Sequence, residues 1–112
     1  MGHVVFLGTS WAQLQGLPSD VRRVFEWAIV ELDQQPSALP RDPKLQVETA
    51  VIDGPFPLRR VSVSLHPPDP GYRAIYALEG RRVLFVRFAH RDRDTYKGLR
   101  RLYALIGSEG RC

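Results

Sequence analysis

A chain of 112 residues with 44% hydrophobic and 25% charged side chains is expected to form a single globular domain spanning 1–112, with room for one core and not two. No apolar run approaches the roughly 18 residues of a membrane span, and the opening stretch lacks the basic start of a secretory signal, so a cytoplasmic protein without a membrane partner is expected. The one cysteine, Cys112, excludes an internal disulfide, and no His/Cys/Asp/Glu cluster stands at ligand spacing, so neither a metal nor another cofactor is expected.

The net charge of +4 conceals an asymmetry. Residues 1–57 hold four basic side chains (Arg22, Arg23, Arg41, Lys44) against seven acidic ones, whereas residues 58–112 hold twelve against five. Fourteen of the sixteen basic residues are Arg, whose planar fork suits bidentate phosphate contacts. Two readings of this basic half compete: a solvated face, or the footprint of a polyanionic partner.

In chain order, His3–Leu7 reads as a first strand, followed by a short helical turn capped by Thr9 or Ser10 and ended by Gly16. Leu17-Pro18-Ser19-Asp20 then opens the clearest helix, in which Val21, Val24, Phe25, Ala28, Ile29 and Leu32 recur at helical spacing as a core-facing stripe. Pro36 and Pro40 end it, and residues 34–44 form a proline-rich loop. Leu45–Ile52 alternates as a strand, and Asp53–Pro57 breaks it. In Leu58–Leu65, Arg59, Val61, Val63 and Leu65 share one parity and Leu58, Arg60, Ser62 and Ser64 the other, so the Val/Leu side should face the helices and the Ser side the solvent.

After the stiff His66–Pro70 turn comes the stretch around which the chain is organised. Two alternating runs, Gly71–Leu78 and Arg82–His90, are joined at Glu79-Gly80-Arg81, where Gly80 can take positive φ, so a hairpin is expected. The charged corner His90–Asp94 leaves the sheet, and Asp92 or Asp94 caps a helix carrying Tyr96, Leu99, Leu102, Tyr103 and Ile106 on one face. The fold class expected is α+β: a small antiparallel sheet with two N-terminal helices on one face and a C-terminal helix.

The Leu-Pro-led helix, the Gly71-Tyr72-Arg73-Ala74-Ile75-Tyr76 strand, the apolar strand after it and the His90-Arg91…Tyr96 corner together resemble the RelE/ParE superfamily of toxins from toxin–antitoxin pairs, over roughly Val4 to Ile106. The resemblance implies an antitoxin partner and, for RelE-like members, cleavage of ribosome-bound mRNA that inhibits translation. It implies that Arg73 contacts the scissile phosphate, that Arg91 supports phosphate charge and protonates the leaving 5′ oxygen, and that Tyr96 stacks on or orients a base. Ser62 and Ser64 stand where many RelE-like enzymes carry two basic residues, a departure that removes the usual proton acceptors. ParE-like members keep the fold and poison DNA gyrase instead, and a non-toxic binding module of the same fold is a further alternative.

RNA cleavage of this kind needs a base for the 2′-OH, cations for the charge gathering on phosphorus, and an acid for the departing oxygen. Arg73, Arg91 and Tyr96 form the expected catalytic set with His90 as proton carrier, since an imidazole titrates near ~6.5. Ser62, Ser64, Arg93, Lys97 and Arg100 form the expected RNA-contacting set. Structural roles compete at each: an ion pair of Arg73 with Asp69 or Asp94, a hydrogen bond anchoring His90, core packing for Tyr72, Tyr76 and Tyr96, and core or antitoxin contacts for Trp11 and Trp27.

Overall fold

The computed structural model describes residues 3–44, 46–52 and 58–91. Its elements run β1 (Val4–Phe6), α1 (Ser10–Gln15), α2 (Ser19–Gln34), β2 (Val47–Ile52), β3 (Leu58–Val63), β4 (Tyr72–Glu79) and β5 (Arg82–His90). The strands form one five-stranded sheet in the order β1-β5-β4-β3-β2.

The sheet corrects the expectation of an antiparallel one. From β2 to β5 consecutive strands pair antiparallel, but β1 lies parallel to β5, with Val4 opposite Val83 and Phe6 opposite Phe85. The sheet is therefore mixed, with two helices among the described residues. The physical reason is the connection: the chain leaves β1 through two helices and returns at the far edge, so β1 is left to pair on the outer side of β5. Alternation within Val4–Phe6 determines which side chains share a face, not the direction of the neighbouring strand. The expected C-terminal helix falls outside the described residues.

Helix α2 forms where the stripe predicted it. Val21, Val24, Phe25, Ala28 and Leu32 are buried, and burying a Val, Phe or Leu side chain is worth about 1.5–3 kcal/mol. Pro18 is the N-cap and makes no side-chain cap bond, while the Asp20 carboxylate accepts the Val21 N–H at 2.8 Å. The stripe packs with Leu14 of α1 against one face of the sheet, made by Val47, Val61, Val63, Ala74, Tyr76, Val83, Phe85 and Phe88. Phe88 meets Phe25 edge-on at 5.4 Å between ring centres, and Phe85 stacks on Phe6 at 5.6 Å. Buried Ser10 ties α1 to this layer, its hydroxyl donating to the Phe85 carbonyl at 3.1 Å.

The opposite face is apolar as well: Leu7, Leu58, Ile75, Ala77, Leu84 and Val86 are buried together there. The Ser-bearing parity of β3 is thus not simply a wet side, because Leu58 shares it and is fully buried. Ser62 and Ser64 lie at the other end of that strand, and the change from apolar to polar along one parity places the candidate site.

A candidate phosphate-binding cup beside beta2 and beta3

Ser62 is opposite Glu48 of β2 on one side and Arg73 of β4 on the other, so these three side chains share a face. Ser64 lies just past β3, its backbone N–H bonded to the Gln46 carbonyl at 3.3 Å and its hydroxyl donating to the Asp69 carbonyl at 3.3 Å. Arg91 follows β5 and is held by its own N–H, which donates to the Gly71 carbonyl at 2.7 Å. The loop before β2 closes the remaining side, because Asp42 bridges to Val47 through both backbone bonds, at 3.2 and 2.9 Å.

Together Arg41, Pro43, Gln46, Glu48, Ser62, Ser64 and Arg91 line a cavity of about 430 Å³. Two arginines, two serines and one glutamate are among the residues that line it. Such a set can hold an anion by charge and by donated hydrogen bonds. Glu48 adds a proton acceptor, which an anion-binding site alone has no need of and which raises the cost of seating a phosphate.

The sequence-predicted residues divide clearly. Ser62, Ser64 and Arg91 come together in the cup, and Arg73 stands beside Ser62 on the same face without lining the cavity. His90 does not join them. It is paired with Tyr72 in the register and meets that ring edge-on at 5.0 Å, on the side of the sheet that carries the helices. There its Nε2 is bonded to Asp69 Oδ1 at 2.7 Å. Tyr76 is buried in the core, where burial pushes its phenol up from the ordinary value and the nearby Arg59 guanidinium opposes the shift. Tyr96, Arg93, Lys97 and Arg100 lie outside the described residues.

Arg41 and Glu48 are cup residues that the sequence reading passed over. One signal was available for Glu48, the only charged residue in Leu45–Ile52. For Arg41 there was none, since a proline-rich loop does not announce which strand it folds back on.

Two carboxylates brace the connection between β3 and β4. Asp69 Oδ1 accepts the Gly71 N–H at 2.7 Å as well as His90, and these two bonds, in that order, hold its carboxyl below the usual range. Asp20 is lowered likewise, first by its bond to His66 Nε2 at 2.5 Å and then by the Val21 N–H. Among the described residues no group of three His, Cys, Asp or Glu side chains could hold a metal ion, and no helix is long and apolar enough to cross a membrane.

No known family profile matches the chain, and no curated protein matches it in sequence. Solved structures do match in fold. A chain of the RelB-RelE antitoxin–toxin complex from Methanococcus jannaschii superposes with a TM-score of 0.60 at 20% identity, covering 84% of this chain and 96% of that one. The intact E. coli RelBE toxin–antitoxin complex gives 0.56 at 17% identity, over 80% and 96% of the two chains. The archaeal RelE–RelB complex from Pyrococcus horikoshii OT3 gives 0.52 at 22% identity, over 81% and 96%. Each of these structures holds an antitoxin together with a toxin, and similarity at this level of identity establishes the fold alone. The assignment to the RelE/ParE toxins drawn from the sequence is corrected accordingly: the chain shares its fold with a chain of such complexes, and toxin identity does not follow from that.

Proposed function

We propose that this chain is one component of a toxin–antitoxin pair, with a cognate protein partner, and that its cup takes an RNA phosphodiester for cleavage of mRNA during translation. The pairing is supported by the shared fold with chains of antitoxin–toxin complexes. Apolar side chains left on the helices, Trp11 at 55% exposure and Val30 at 54%, offer surface for a protein partner.

The observation that carries the RNA reading is the presence of Glu48 in one cavity with Arg41 and Arg91. In this reading the Glu48 carboxylate takes the proton of a ribose 2′-OH as that oxygen attacks the adjacent phosphorus. Arg41 and Arg91 offset the charge that gathers on the phosphoryl oxygens, and Ser62 donates to one of those oxygens and orients it. The bond from phosphorus to the 5′ oxygen breaks, that oxygen takes up a proton from solvent water, and a cyclic 2′,3′-phosphate and a 5′-hydroxyl result. Glu48 thereby fills the place of the basic residues that Ser62 and Ser64 do not provide.

The test is a purified translation reaction in which mRNA is mapped by primer extension. Cleavage by the wild-type chain should fall about 10²–10⁴-fold in Glu48→Gln, the range for loss of a positioned general base, and about 10²–10³-fold in Arg91→Ala, as for one charge-stabilising donor. Intact mRNA at stoichiometric protein, or full activity in Glu48→Gln, refutes the reading.

A further inference from the structure

We infer that Asp69 and His90 are positioning residues for the cup: gripped by His90, Asp69 holds the β3–β4 connection in the shape that seats Ser64 and Arg91. The inference rests on the cup being the RNA-binding site.

Three hydrogen bonds converge on one residue. The Asp69 carboxylate receives the Gly71 N–H and His90 Nε2, both at 2.7 Å on the same oxygen, while the Asp69 carbonyl receives the Ser64 hydroxyl at 3.3 Å. Gly71 in turn accepts the Arg91 N–H through its own carbonyl at 2.7 Å. Each of these two cup residues is therefore one hydrogen bond away from Asp69–Gly71, one through its side chain and the other through its backbone. His90 anchors that segment to the last residue of β5, directly before Arg91.

Two further groups lie near the clasp. The Tyr72 ring meets the imidazole edge-on and leaves Nε2 to Asp69. His66 in the same connection adds a weaker attraction to Asp69 and is itself held by Asp20. The clasp is partly open to water, with side-chain exposures of 34% for His90 and 46% for Asp69. Substitution there spares the core, so variants are expected to fold. His90 thus acts through Asp69 and touches no substrate.

The experiment compares the wild-type chain with His90→Phe and His90→Gln. Phe keeps a ring against Tyr72 and removes the donor, whereas Gln restores an N–H near the place of Nε2. Binding of a fluorescent single-stranded oligouridylate is measured, and the backbone amide signals of Ser64, Gly71 and Arg91 are followed by NMR without RNA. The inference expects His90→Phe to shift all three amides and to weaken binding about three- to tenfold, the loss that goes with one misplaced contact. His90→Gln should recover most of both, which a role in bulk stability alone would not produce. Unmoved Ser64 and Arg91 amides overturn the inference, as does equal RNA affinity in all three proteins. If the wild-type chain binds no RNA, the functional reading fails, and the amide shifts alone then support or overturn the clasp.

Discussion

Gly71 offers the sharpest quantitative test of how the cup is built. Its φ is +86°, and a methyl group added there would lie 2.1 Å from the Val63 carbonyl oxygen and 2.8 Å from the Ser64 Cα. Both are backbone atoms, so relief requires the end of β3 to move. A non-glycine residue in the left-handed region costs about 1–2 kcal/mol, and forcing extra volume into a packed position adds about 1–3 kcal/mol. Gly71→Ala should therefore lose about 2–5 kcal/mol. Gly80 separates the two contributions, because it also has positive φ, +60°, yet an added methyl there meets nothing within 4 Å. Gly80→Ala should lose only the conformational part, about 1–2 kcal/mol. Urea unfolding followed by circular dichroism measures both, with the midpoint moving and the slope unchanged. Equal losses in the two variants, or a Gly71→Ala value within about 0.5 kcal/mol of wild type, would refute the close-approach argument.

Three further outcomes are expected. Leu32→Ala, at a position with no exposed surface, should lose about 2–5 kcal/mol in the same unfolding assay. Ser10→Ala removes a buried hydroxyl bonded to the Phe85 carbonyl, which keeps its second donor, the Leu7 N–H at 2.8 Å; a loss of about 0.5–1.5 kcal/mol is expected by thermal melting. Asp20 and Asp69 have carboxyls held below the value of 3.8, so their contribution to stability is complete above that pH and is lost as the pH falls through the lowered values. Melting temperatures measured from pH 5 down to pH 2 should fall less steeply in Asp20→Asn and Asp69→Asn than in the wild type.

Local chemistry carried much of the fold into the sequence. The α2 stripe is visible because burial recurs at helical spacing from Val21 to Leu32, and the β4–β5 hairpin because Gly80 permits a two-residue turn between Glu79 and Arg82. The parallel pairing of β1 was not legible, since three alternating residues do not encode the direction of a neighbour that lies more than seventy positions away. Nor was the second apolar layer: Leu58 and Ser62 share a parity, and one strand read alone cannot tell where along it burial ends. At the site, the resemblance to RelE-like enzymes pointed to Ser62 and Ser64, while Glu48 required the β2–β3 register and Arg41 required the bridge from Asp42 to Val47. His90 and Arg91 are neighbours in the chain, yet His90 bonds Asp69 beside Tyr72 while Arg91 lines the cup. The strand ends at His90, so its alternation does not place Arg91.

The claim on which the rest depends is that Arg41 and Arg91 grip an RNA phosphate in one cup, and the salt dependence of oligouridylate binding tests it most directly. Each phosphate contact on a single strand contributes about 0.7 to the slope of log affinity against log salt. Arg91→Ala and Arg41→Ala should each lower the slope by about that amount, while Arg23→Ala, on helix α2, should leave it unchanged. A slope untouched by the two cup variants, or reduced equally by Arg23→Ala, would contradict the account.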